Sequence, residues 1–287
     1  MTASGTTSPT VVDLTLASGR MRAELSGPED GPLVICVPGL SANLRSYDRI
    51  GPALAAAGHR VAAVDLRGRG HSETTAPGTF GWPAHARDVL EVATQLGHRR
   101  FDLIGHSMGA FVAMDTAAQD AERLRRVVLI DACGVPEPES LPPIMGSVER
   151  LGPVFASEEE YLARARSAGS ILPWTDLWDD YFRYELDAVD GGVRARTSRE
   201  AVTEDAVHGS TRQPAELWAV LTMPTLLLRA GLPVVPGAGF IVSAADARRF
   251  AEEVPQGSVV EVDAPHYTIV EHPDSVRSVL DFLEPAP

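Results

Sequence analysis

The stretch Phe101-Asp-Leu-Ile-Gly-His-Ser-Met-Gly-Ala-Phe-Val-Ala-Met-Asp-Thr-Ala-Ala118 carries two periodicities back to back. Residues 101–105 form a short apolar run of strand length. Residues 108–118 place their apolar side chains at helical spacing. Between them, Gly105-His-Ser-Met-Gly109 leaves room only for a tight turn centred on Ser107. A strand, a sharp turn and a helix in that order hold the Ser107 hydroxyl out at the end of a sheet. The helix start behind it offers free backbone N–H groups and the positive end of a dipole. That setting suits a nucleophile. Gly-x-Ser-x-Gly is weakly specific as a bare pattern, and the strand and helix around it give it weight. An ordinary N-cap Ser would not need Gly on both sides.

Outward from this stretch, short apolar runs alternate with longer amphipathic ones. Strands are expected over 11–16, 21–25, 33–37, 61–65, 101–105, 127–131, 225–230 and 258–262. Helices are expected near 46–57, 82–96, 108–118, 214–221, 244–253 and 272–283. Continuous apolar strands separated by helices imply a mostly parallel eight-stranded sheet covered on both faces, an α/β architecture. The first two strands have no helix between them and read as an antiparallel edge. The alternation breaks once, between Asp131 and Thr225, where no convincing strand is visible. A Pro- and Glu-rich opening over 135–143 cannot be helical throughout. Helical patterns follow near 157–168, 174–186 and 198–208. Residues 135–212 therefore read as a helical cap inserted over the C-terminal edge of the sheet, with the core formed by 1–134 and 213–287. Ligands bind at that edge in open α/β sheets.

Composition narrows the function. A chain of 287 residues without a low-complexity linker fits one domain with an insertion. A formal charge of −14 argues against nucleic acid and anionic membrane as partners, because both need clustered Lys and Arg. The opening MTASGTTSPT lacks the basic and apolar regions of a leader, and no apolar stretch approaches the ~20 residues of a membrane span. The two cysteines, Cys36 and Cys133, lie in or just after strand-like runs and read as buried small side chains. A cytoplasmic location is the default expectation. Gly68-Arg-Gly70 follows a strand but lacks the third Gly and the helix of a dinucleotide site, so 67–71 reads as a structural turn. No cofactor is implied, and no His, Cys, Asp and Glu set has metal spacing.

Acyl transfer by Ser needs a base, an acid that orients the base, and N–H donors for the oxyanion. His266, in Asp263-Ala-Pro-His-Tyr after the last strand, faces the same edge as Ser107. His59 and His98 precede strands, at the opposite edge. His85 lies inside a helix. His106 sits beside the nucleophile and points elsewhere. His71, His208 and His272 lack a strand-end position. The acid is expected to be Asp131, at the end of the strand after the nucleophile helix. Asp246, in the first turn of a later helix, is the alternative, although an acidic residue there also complements the helix dipole. Asp263 is close to His266 in sequence and would orient it poorly. The N–H of Met108 supplies one oxyanion donor. The loop Pro38-Gly-Leu-Ser41 supplies another through Leu40, with Gly39 permitting close backbone approach. In the cap, Trp174, Trp178 and Tyr181 share one helical face. Packing against the sheet explains them more readily than substrate contact, though one face could do both.

These residues resemble the α/β-hydrolase superfamily over nearly the whole chain. The resemblance rests on Val37-Pro-Gly-Leu40, Asp65-Leu-Arg-Gly-Arg-Gly-His-Ser72, Gly105-His-Ser-Met-Gly109 and the late His266. It implies the α/β-hydrolase fold and a Ser107, Asp131, His266 triad. There are two departures. Many members have His where Pro38 stands, and most carry the acid after the seventh strand. An acid after the sixth resembles a subset that includes certain lactonases, amide-cleaving ring-catabolism hydrolases and some dehalogenases. Dehalogenases and epoxide hydrolases use an Asp nucleophile, so Ser107 argues against both. The leading expectation is a serine hydrolase of a small, partly apolar ester or lactone. Carbon–carbon cleavage of a vinylogous diketone, or amide cleavage, keeps the same site, and a non-catalytic ligand receptor is the reading from another class. Nothing reads as a dedicated interface, and the oligomeric state stays open.

Overall fold

A computed structural model of the chain describes residues 9–284. Eight strands form one sheet, β1 (Thr10–Leu16), β2 (Gly19–Ser26), β3 (Leu33–Val37), β4 (Arg60–Val64), β5 (Phe101–His106), β6 (Leu124–Ile130), β9 (Thr225–Ala230) and β10 (Gly257–Val262). Their order across the sheet is β1-β2-β4-β3-β5-β6-β9-β10. β1 pairs antiparallel with β2, and β2 with β4; the other five pairings are parallel. The antiparallel edge and the α/β-hydrolase fold expected from the sequence are both present.

β3 shows why its run is apolar throughout. Leu33, Ile35 and Val37 enter one hydrophobic cluster, and Val34 and Cys36 enter another on the opposite face. The first cluster is closed by α2 (Trp82–Gln95), α3 (Met108–Asp120) and α8 (Ala244–Glu253). The second is closed by α1 (Ile50–Ala56) and α9 (Pro273–Leu283). A strand buried on both sides has no position for a polar side chain. Cys36 and Cys133 are both buried and unbonded, and burial pushes both thiols up. The segment expected as one helix over 46–57 is a 3₁₀ turn, Leu44–Tyr47, followed by α1. The helix expected near 214–221 is 3₁₀ throughout, Pro214–Val220.

Between β6 and β9 the chain forms α4 (Leu141–Val148), α5 (Glu158–Ser167), α6 (Asp176–Tyr184) and α7 (Arg199–Ser210). It also forms a hairpin, β7 (Leu186–Val189) and β8 (Gly192–Ala195), so the expectation of no strand here was wrong. The signal was in the sequence. Asp190-Gly191 is a two-residue hairpin turn, with Gly191 at φ +86°. The inserted segment has its own apolar cluster, including Leu151, Tyr161, Trp178, Phe182 and Val202. Leu40, Ala42 and Tyr267 of the sheet layer pack against it. Among the described residues, no helix is long and apolar enough to cross a membrane. Residues 1–8, most of the stretch read for a leader, lie outside them.

Candidate active site

The turn after β5 is tight because two glycines let it be. A Cβ on Gly105 would lie 2.1 Å from the Gly109 carbonyl oxygen, and one on Gly109 would lie 2.1 Å from that of Val37. Ser107 itself takes φ +54°, ψ −121°. A non-Gly residue at positive φ is strained, and the surroundings must hold it there. Here Ser107 N–H donates to the Ile130 carbonyl at 2.9 Å, and the Ser107 carbonyl accepts from Ala110 N–H at 2.9 Å.

Ser107, His266 and Asp131 come together at the C-terminal edge of the sheet. His266 Nε2 is 3.1 Å from Ser107 Oγ, and its Nδ1 is 2.8 Å from Asp131 Oδ2. A carboxylate only accepts, so Nδ1 carries the proton and Nε2 is free to accept from the Ser107 hydroxyl. Asp131 is also at positive φ, +48°, directly after β6. Its N–H donates to the Leu228 carbonyl at 2.7 Å, and its Oδ1 accepts from Ala230 N–H at 2.9 Å. One carboxylate oxygen is thus used to fix the group and the other faces His266. The alternative acids are elsewhere. Asp246 accepts from Ser243 in the first turn of α8, and Asp263 is exposed.

Leu40 follows β3 in a turn closed by Ala42 N–H donating to the Gly39 carbonyl at 3.2 Å. A Cβ on Gly39 would meet Ser107 Cβ at 3.2 Å, so this loop lies directly against the nucleophile. Met108 opens α3, and its N–H has no acceptor within the helix.

Other residues here were not singled out by sequence reasoning. His106 Nε2 is 3.0 Å from the His266 carbonyl oxygen. Burial, and then the neighbouring His266, hold the His106 imidazole well below its ordinary range. It is neutral, with its hydrogen on Nε2, and tethers the loop that carries His266. Its position beside Ser107 gave no sign of this, because the contact spans 160 residues. Arg150, just past the end of α4, donates to both carboxylate oxygens of Glu185 at 2.9 and 3.1 Å and to the Ser41 carbonyl at 3.0 Å. Tyr161 donates to the same carboxylate. The Tyr267 hydroxyl is buried beside Ser147.

His106, Arg150 and Tyr267 line a cavity of about 370 Å³ that includes Ser107 and His266. Its apolar wall includes Leu40, Ile144, Ile171 and Val235. Of the three aromatic residues singled out, Trp178 and Tyr181 line it and Trp174 does not. Trp174 stacks on Phe182, ring centroids 5.3 Å apart, and donates to Asp179 at 2.8 Å. α6 begins only at Asp176, so helical spacing does not extend back to Trp174. Among the described residues, no cluster of His, Cys, Asp and Glu could hold a metal ion.

Residues 32–273 match the alpha/beta hydrolase fold family, and the chain belongs to that family. It is 30% identical to 2-hydroxymuconate semialdehyde hydrolase of Pseudomonas putida, over 72% of this chain and 79% of that one. Against some relatives the match is less than half of their length. The stretch shared with a serine hydrolase-like protein of Danio rerio, 35% identical over 40% of this chain, is 36% of that protein. The crystal structure of E-2-(acetamidomethylene)succinate hydrolase superposes with a TM-score of 0.79 at 24% identity, covering 96% of this chain and 99% of that one. The chain thus stands among alpha/beta hydrolases, and its coarse activity is that of a hydrolase.

Proposed function

We propose that this protein is a cytoplasmic serine hydrolase that cleaves a small, partly apolar carboxylic ester or lactone through an acyl-enzyme on Ser107. The observation that carries this reading is the line of contacts Ser107–His266–Asp131, at 3.1 and 2.8 Å, opening into a cavity of about 370 Å³. His266 Nε2 takes the Ser107 proton as Oγ attacks the carbonyl, and returns it to the leaving alkoxide. Asp131 holds the tautomer that leaves Nε2 free. The N–H groups of Leu40 and Met108 receive the oxyanion, and loss of one such donor typically costs about 3 kcal/mol. Water then attacks the acyl-enzyme, with His266 acting as base. Residues 135–212 act as the cap that closes the cavity.

The cavity's chemistry supports an uncharged substrate. Arg150 is the cation set deepest among its lining residues, with its side chain 11% exposed, and Glu185 already neutralises it; the other lining arginine, Arg164, is exposed. A second reading keeps the same triad and changes the bond, to carbon–carbon or amide cleavage. The names of the relatives favour it, since they include semialdehyde and acetamidomethylene-succinate hydrolases.

Steady-state turnover of short and long acyl esters, aromatic and aliphatic lactones, a vinylogous diketone and small amides separates these readings. The proposal expects ester or lactone hydrolysis that vanishes in Ser107→Ala. Preference for the diketone or amide would move the bond, and activity retained in Ser107→Ala would overturn the mechanism.

A further inference from the structure

The loop that carries Leu40 gets no side-chain anchor from Pro38, which has neither a polar side chain nor an N–H. Its carbonyls are held from outside instead. Tyr47 Oη donates to the Val37 carbonyl at 2.6 Å, and Arg150 to that of Ser41 at 3.0 Å. The Leu40 carbonyl, between them, takes two bonds from one guanidinium, Arg69 Nε at 3.0 Å and Nη2 at 2.9 Å.

Arg69 belongs to the turn after β4, and its side chain is fully buried. Such a cation needs a partner. The partner comes from the inserted segment, where Asp205 on α7 accepts from Arg69 Nη2 at 2.5 Å. The same carboxylate accepts from His85 Nε2 at 2.9 Å and from Gly81 N–H at 2.6 Å. Burial alone would raise the Asp205 carboxyl, but the His85 bond and the Arg69 charge hold it at about 2. His85, fully buried, is pushed down by burial and stays neutral. One cation therefore faces one anion, with no solvent between them. The contacts are continuous from α7 through Asp205 and Arg69 to the carbonyl of Leu40, the residue proposed above as an oxyanion donor. Rotating the Leu40–Ser41 peptide, which shares the Leu40 Cα with the peptide that carries the Leu40 N–H, would break two bonds to a buried charge, and lifting α7 would strip that charge of its counter-ion.

We propose that Arg69 is a positioning residue for the oxyanion loop, held in place by Asp205 of the inserted segment. The proposal rests on reading Leu40 as an oxyanion donor of a serine hydrolase. Arg69 touches no reacting atom, so its loss acts on stabilisation of the tetrahedral state rather than on capture of substrate.

The test uses the full chain and the best ester from the panel. It compares wild type with Arg69→Met, Arg69→Lys and Asp205→Asn for kcat, KM and inhibition by an alkyl boronic acid. The boronic acid forms a tetrahedral adduct on Ser107. Arg69→Met is expected to lower kcat by about 30-fold, less than removal of a whole donor, with KM changed less than about threefold. Boronate affinity should fall in parallel with kcat, and Arg69→Lys should recover part of both. Asp205→Asn should lower both by about threefold to tenfold. A folded Arg69→Met enzyme with unchanged kcat and boronate affinity overturns the proposal and leaves the serine-hydrolase reading standing. So does a kcat loss with boronate affinity intact. If Arg69→Met does not fold, Asp205→Asn decides by the same two readouts. Absence of Ser107-dependent turnover in the wild type overturns both readings at once.

Discussion

Ser107 is held at φ +54° only because the surrounding backbone overrides its own preference. That strain makes a prediction that separates stability from chemistry. Ser107→Gly relieves the positive φ, so it is expected to abolish turnover while raising stability by about 1 kcal/mol in denaturant unfolding. A destabilised Ser107→Gly protein would mean that the turn is not strained. Asp131 makes a second. In Asp131→Asn, the amide oxygen can still accept from Ala230 N–H, but the amide N–H₂ then faces His266 Nδ1 and selects the wrong tautomer. Turnover should fall by about 10⁴ with the fold intact, and Asp246→Asn should change it less than twofold. The reverse pattern in steady-state kinetics would move the acid to the later loop. Ser107 and Asp131 were legible because each sits directly after a strand, and His266 because it lies in the short loop after the last one; a parallel sheet brings such positions to one edge. Arg69 and Asp205 were not, since their contact spans 136 residues and no periodicity reports it.

The inserted segment is stitched to the sheet by polar contacts from α6 as well as α7. Asp65, at the end of β4, accepts from Tyr184 Oη at 2.7 Å, from Leu44 N–H at 2.8 Å and from His71 N–H at 2.8 Å. Burial still pushes this carboxyl up to about 6, against those donors. Its folded-state value lies above the ordinary 3.8, so the folded protein binds the proton more tightly. Stability from this group therefore falls as pH rises from about 4 to about 6. Tyr184→Phe removes a donor to the ionised form. It is expected to cost about 1–2 kcal/mol at pH 8, where Asp65 is charged, and less than half of that at pH 5. Urea unfolding at both values checks this, and an equal loss at the two would mean that Tyr184 does not serve the carboxylate. The strands of the main sheet were readable in sequence because burial on both faces leaves uninterrupted apolar runs. The β7–β8 hairpin escaped because its strands are four residues each and only half-buried, so neither alternation nor an apolar run marks them. Its Asp190-Gly191 turn was the one cue.

At the scale of the molecule, the net charge of −14 and the pairing of Arg150 inside the cavity act in the same direction. A negative surface potential repels an anionic substrate at a distance, and the Arg150–Glu185 pair offers it no free cation on arrival. The two effects differ in range. The first is screened over about 8 Å at physiological salt, and the second is buried and barely screened. A neutral ester should therefore exceed its ω-carboxylate counterpart by about tenfold or more in kcat/KM, a gap of at least about 1.4 kcal/mol. Raising the salt concentration should narrow that gap only in part. Glu185→Gln should narrow it further by freeing Arg150 to meet the carboxylate, although unpairing a buried cation should cost about 3 kcal/mol of stability. Kinetics on the ester pair at two salt concentrations, in wild type and Glu185→Gln, resolve the two contributions. If salt abolishes the gap, the distant field decides and the cavity does not discriminate. If the carboxylate is the better substrate in the wild type, Arg150 exchanges Glu185 for substrate on binding. The pair is then a recognition device rather than a neutral wall, which would favour the carbon–carbon or amide reading over a simple ester.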